Sequence, residues 1–177
     1  MAKVKVATAW LDACAGCHMS FLDLDEALID LAGAIELTAS PITDIKEFPP
    51  VDVGIIEGAI GNKHDEKVAK KLRDNCKILM VWGDCACFGG IASMRNLFSI
   101  EEILHRYYST ESTTKDSKIP SSEDLPPLTV VKPINQVVKV DCYVPGCPPS
   151  SKAIHYALAE LLEGRIPILP SEMMRFD

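Results

Sequence analysis

Val51-Asp52-Val53-Gly54-Ile55-Ile56, a polar stretch from His64 to Asn75, and Lys77-Ile78-Leu79-Met80-Val81-Trp82 set the plan of this chain. The two apolar runs have the length and β-branched content of buried strands, and the polar stretch between them reads as a surface helix. Working backward, Val4 to Trp10 suits a first strand. Phe21, Leu24, Leu28 and Leu31 share one helical face with Asp23, Asp25, Glu26 and Asp30 outside it, which predicts an amphipathic helix over about 18–32, with a short strand at Ile35–Ala39 after it. Working forward, Val137 to Val144 is expected to form the last strand. Ser150–Glu163 is expected to form the last helix, apolar at Ala153, Ala157, Leu158, Leu161 and Leu162 and stopped by Gly164. This β-α-β-α-β order is the α/β, flavodoxin-like, doubly wound plan: a parallel sheet in three layers, α/β/α.

A chain of 177 residues fits one domain, 1–177. Its composition turns to Ser, Thr, Lys and Pro between Tyr108 and Gln136, which predicts an irregular insertion over about 108–136, too short for a domain. The end, 165–177, reads as an extended tail over a neighbouring surface. No apolar stretch at the amino terminus suggests a secretory signal, and no run approaches the roughly 20 apolar residues of a membrane span. A soluble, cytoplasmic protein with no membrane span is expected. The net charge of −7, with no long basic block, argues against nucleic acid and for protein partners. Seven cysteines in an unexported chain point to metal or catalysis before a disulfide framework.

Cys14 and Cys17 follow the first expected strand, Cys85 and Cys87 follow the strand ending at Trp82, and Cys147 follows the last one. All should lie on loops at the carboxyl edge of the sheet, where residues remote in sequence converge and open α/β sheets bind ligands. Four thiolates meeting there are what an iron–sulfur cube requires. The segments Cys14-Ala15-Gly16-Cys17, Gly83-Asp84-Cys85-Ala86-Cys87-Phe88-Gly89-Gly90 and Pro145-Gly146-Cys147-Pro148-Pro149 are rich in Gly and Pro, which lets the backbone approach sulfide closely. The C-x-x-C pair alone is shared by structural zinc sites and thioredoxin-like redox pairs. Zinc sites usually supply a second close pair, whereas the other candidates here are far apart, and a thioredoxin-like enzyme needs neither Cys85 nor Cys147.

At these residues the chain resembles the small subunit of nickel–iron hydrogenases. The resemblance rests on Trp10-Leu11-Asp12-Ala13-Cys14-Ala15-Gly16-Cys17, Glu57-Gly58-Ala59-Ile60, Gly83-Asp84-Cys85-Ala86 with Gly89-Gly90-Ile91, and Pro145-Gly146-Cys147-Pro148-Pro149, which span almost the whole chain in order. Cys17-His18-Met19-Ser20-Phe21-Leu22-Asp23 is most similar to the cytoplasmic, bidirectional NAD-reducing branch. The resemblance implies that Cys14, Cys17, Cys85 and Cys147 ligate one [4Fe–4S] cluster. It further implies a large partner subunit holding the nickel–iron centre, and diaphorase subunits carrying FMN, NAD and further iron–sulfur clusters. Other relatives continue into a domain with two more clusters; this chain ends before it, so one cluster is expected. Oxygen-tolerant relatives add cysteines at the positions of Gly16 and Gly90 and hold a [4Fe–3S] cluster, which implies an ordinary cube here.

Cys87 competes with Cys85, but the family pattern has a small residue at that position. Cys76 and Cys142 read as buried thiols. His18 reads as a packed or surface residue beside a ligand, Glu57 as an interface residue or a turn cap, and Asp84 as a turn cap or a charge beside the cluster. Asp23, Asp25, Glu26 and Asp30 read as a solvated face, and Arg95 and Asn96 as candidate contacts to the large subunit. A flavin on this chain is disfavoured, because Cys14 and Cys17 occupy the loop where a Ser/Thr-rich phosphate cradle would lie. The rivals are a quinone-reductase cluster subunit, which calls for adjacent cysteines in the first loop, a zinc-stabilised interaction module, and a thiol–disulfide enzyme.

Overall fold

A computed structural model of the chain describes residues 3–45, 47–111 and 113–174. Its main sheet is built from β1 (Val4–Trp10), β2 (Ile35–Ala39), β3 (Val51–Glu57), β5 (Cys76–Trp82) and β7 (Cys142–Val144), in the order β2-β1-β3-β5-β7 with every pairing parallel. A strand order that reverses beside β1 is that of the doubly wound, flavodoxin-like sheet, with its switch point between β1 and β3. Between β3 and α3 (Lys63–Asn75) lies a short strand, β4 (Ile60–Asn62).

One face of the sheet buries Val6, Ile55, Met80 and Trp82 against α1 (Gly16–Leu22), α2 (Ala27–Ala34) and α6 (Ser151–Leu162). The other buries Ala7, Ile56, Leu79 and Val81 against α3 and α4 (Gly83–Phe88). Alternate residues of one strand thus feed opposite cores, which is why β3 and β5 read as continuous apolar runs.

The single helix expected over 18–32 is two helices, because Asp23–Glu26 form a turn in which Asp25 takes φ 49°. Aspartate tolerates that conformation better than most residues, and the acids are disfavoured at the carboxyl end of α1. The break leaves the face intact, with Phe21, Leu24, Leu28 and Leu31 all in the first core.

The last strand is also shorter than the expected 137–144. Ile134–Gln136 is a 3-10 turn, and Val137, Val138 and Val140 pack on the second core without joining the ladder. Their apolarity reflects burial, not pairing.

The expected irregular stretch over 108–136 contains a strand, β6 (Leu128–Lys132), antiparallel to β4. A 3-10 turn at Ile91–Leu97 and α5 (Ile100–His105) precede that stretch. In the tail Leu169 is buried in this chain's own first core, while Ile168 is exposed. Residues 175–177 of the expected tail lie outside the described residues.

Candidate metal centre

Cys14, Cys17, Cys85 and Cys147 line one cavity of about 80 Å³ at the carboxyl edge of β1, β5 and β7, together with Ala13, Gly16, Glu57, Asp84, Gly146 and Pro148. Two of the four are not on loops as expected. Cys17 lies in α1 and Cys85 in α4, each in a short helix that starts abruptly after its strand. Ala15 at φ 65° makes the first of these turns and Gly83 at φ 83° the second. Gly83 has a second reason to be glycine: a Cβ there would lie 2.3 Å from the Cys17 sulfur.

Hydrogen bonds tie the three segments together. The Asp84 amide donates to the Gly146 carbonyl (2.8 Å), and the Gly146 amide donates back to Asp84 Oδ1 (2.8 Å), locking the Cys85 segment to the Cys147 segment. Glu57, at the end of β3, accepts from the amides of Cys17 (3.3 Å) and His18 (2.9 Å) and stands 2.5 Å from His18 Nδ1. Only 1% of Glu57 is exposed, so it is an internal cap and not the interface residue that was its other reading. His18 is packed, with Trp10 and Trp82 edge-on at ring centroid distances of 5.2 and 5.4 Å.

Cys17 is buried, Cys85 half-buried, and Cys14 and Cys147 exposed. Burial, then Glu57, then the other three thiols push the Cys17 thiol well above its ordinary value. Burial, then Cys85, Asp84 and Cys14 push Cys147 the same way. Thiolates lining one cavity repel, and metal coordination offsets that repulsion by supplying positive charge.

Among the described residues no three His, Cys, Asp or Glu side chains close on a point that would hold one metal ion. A structural zinc draws four ligands onto a single centre, whereas each iron of a cube takes its own thiolate, and the four cysteines that line this cavity supply one for each iron. A side chain at Gly90 fits poorly, since its Cβ would lie 2.7 Å from the Cys85 nitrogen at a backbone φ of 46°, whereas one at Gly16 would lie 3.2 Å from the Cys14 sulfur, a contact relieved if that side chain gives by a few tenths of an ångström.

The remaining cysteines stand apart from this cavity. Burial, followed by Asp84, pushes Cys87 up to about 12, and burial with Asp141 does the same for Cys142. Cys76 is buried at the start of β5. Arg95 and Asn96 have internal partners. Arg95 pairs with Asp12 (3.3 Å) and donates to the Gly61 and Thr129 carbonyls, and Asn96 exchanges two bonds with the Val131 backbone (2.9 and 2.8 Å). The role of Gly83 and the reciprocal Asp84–Gly146 bonds escaped the sequence reading. The only local signal was the glycine that directly follows a buried strand.

The family described as NADH ubiquinone oxidoreductase, 20 Kd subunit, matches residues 14–161. The NAD-reducing hydrogenase HoxS subunit delta of Cupriavidus necator is 39% identical over 99% of this chain and 86% of its own length. The chain belongs to the nickel–iron hydrogenase small subunits of that family. A subunit in a crystal structure of an NAD+-reducing [NiFe]-hydrogenase superposes on this small subunit with a TM-score of 0.96 at 38% identity, covering 99% of this chain and 100% of that one. A subunit of the F420-non-reducing hydrogenase vhu of Methanocaldococcus jannaschii is 44% identical over 97% of this chain, which spans 60% of that relative's length. A [NiFeSe] hydrogenase of Desulfomicrobium baculatum shares the fold at 16% identity and a TM-score of 0.59. Among the described residues no helix of this small subunit is long and apolar enough to cross a membrane.

Proposed function

We propose that this chain is the electron-transferring subunit of a cytoplasmic nickel–iron hydrogenase, holding one [4Fe–4S] cube on Cys14, Cys17, Cys85 and Cys147. The observation that carries the reading is the meeting of these four cysteines, from three separate strand ends, at one cavity. Such a cube supplies one-electron redox chemistry. Cys17 and Cys85 fix its inner side from helical turns, while Cys14 and Cys147 hold the face open to a partner. Glu57 and Asp84 keep the ligand segments in register through backbone amides, and the packed core beneath excludes water.

In this proposal the whole chain, 1–177, acts as one flavodoxin-like unit. It takes electrons from the nickel–iron site of a large subunit and passes them to iron–sulfur and FMN-containing diaphorase subunits that reduce NAD. The TM-score of 0.96 to a subunit of an NAD+-reducing enzyme supports that acceptor. A second reading, a complex that delivers electrons to another carrier such as a ferredoxin, is supported by the 44% identity to a relative from an F420-non-reducing hydrogenase.

The first test is iron, acid-labile sulfide and reduced-state EPR on anaerobically prepared protein, with Cys→Ser variants at 14, 17, 85, 87 and 147. About four irons per chain, as one [4Fe–4S] cube requires, lost in every variant except Cys87→Ser, is the expected result; zinc without iron would sink the proposal. Hydrogen-dependent reduction of NAD against ferredoxin by the native complex separates the two acceptors.

A further inference from the structure

We propose that the Asp84 carboxylate sets the reduction potential of this centre, holding it low. The inference rests on the four-cysteine reading above and adds a role for a fifth residue. A cube held by four thiolates is anionic and becomes more so when reduced, so nearby fixed charge and hydrogen bonds to sulfur decide how readily it accepts an electron.

The residues lining the cavity include two carboxylates, Glu57 and Asp84, and no Lys, Arg or His. Glu57 faces His18 Nδ1 and takes the amides of Cys17 and His18, so the Cys17 N–H bonds a carboxylate and is not free for a cluster sulfur. Asp84 differs. Among the described residues its side chain bonds only the Gly146 amide and forms no ion pair with a basic side chain. Its carboxylate lines the same cavity as Cys85 and Cys147, with Oδ1 held in that wall by the Gly146 amide at 2.8 Å. An unneutralised carboxylate in the wall opposes addition of an electron to a centre held there. A centre that exchanges electrons near the hydrogen couple has use for such a charge, since it keeps the reduced state reactive toward the next carrier.

Asp84→Asn removes the charge and keeps an oxygen to accept the Gly146 N–H; Asp84→Ser does so with a hydroxyl, and Asp84→Glu restores the charge. The measurement is a potentiometric titration of the reduced-state EPR signal of the full-length chain, with iron counted on each sample. Asp84→Asn is expected to shift the oxidised-to-reduced ratio at fixed poise about tenfold toward the reduced form, a rise of about 59 mV for one electron. Asp84→Ser should follow it and Asp84→Glu should return toward the parent value, with unchanged line shapes. A potential that stays put or falls in Asp84→Asn with four irons bound overturns the proposal and leaves the ligand reading standing. Loss of iron from both neutral variants but not from Asp84→Glu also overturns it, making Asp84 an anchor for the loop. Absence of four irons from the parent protein removes the ligand reading itself.

Discussion

Glycine at position 83 and glutamate at position 57 do more for the centre than their distance from the cysteines in sequence suggests. Gly83→Ala places a methyl 2.3 Å from the Cys17 sulfur at a backbone φ of 83°, and strain of this kind costs on the order of 1–3 kcal/mol. The expected outcome is loss of most bound iron with a lowered melting temperature; full iron occupancy in the variant would contradict the close approach. Glu57→Leu leaves the Cys17 and His18 amides and His18 Nδ1 without their shared acceptor, and each stranded buried group costs about 1–3 kcal/mol. A fall in denaturation midpoint larger than that of Glu57→Gln is the expected measurement. That Cys14, Cys17, Cys85 and Cys147 gather at one place was legible from their positions after apolar strands. The work of Glu57 was not, because its partners lie 39 and 40 positions away and a carboxylate carries no periodic signal.

At the level of elements, the central strands of the main sheet announced themselves and breaks did not. β3 and β5 are recognisable because burial on both faces demands unbroken apolar residues. The turn at Asp23–Glu26 interrupts a helix without interrupting its apolar face, so a period count passes straight through it. Hidden for the opposite reason, β6 has a partner, β4, of only three residues, and prolines at 126, 127 and 133 flank it. The start of α3 is closed by a reciprocal cap: Asn62 accepts from the amides of His64 and Asp65, and Asp65 reaches back to the Asn62 amide. Asn62→Ala removes that cap and should lower stability by ~1 kcal/mol, read as a shift in urea midpoint at constant slope. An unchanged midpoint would show that burial of Leu72 and Ala69 alone holds the helix.

Across the whole molecule, acid stability depends on a buttress far from the metal centre. Partial burial opposes ionisation of Asp141, but the Leu79 amide and the Arg73 guanidinium at 2.5 Å outweigh it and hold the carboxyl below its ordinary value. A carboxylate depressed in the folded state contributes stability above its unfolded pKa and loses it as pH falls through the folded one. Unfolding free energy should therefore drop below about pH 4, and Asp141→Asn should flatten that drop while lowering stability at neutral pH. An identical acid limb in the variant would refute the assignment. The buttress joins the end of α3 to β5 and the start of β7, and so steadies the two strands that deliver Cys85 and Cys147. By itself the sequence determined the order of the five main-sheet strands, the carboxyl-edge placement of the cysteines and the likeness to hydrogenase small subunits, because apolar periodicity and motif spacing are local properties of the chain. Only the tertiary structure decided that Cys17 and Cys85 sit in helical turns, that Glu57 faces inward and that Asp84 locks onto Gly146, because those depend on atoms brought together by the sheet from segments that share no local pattern.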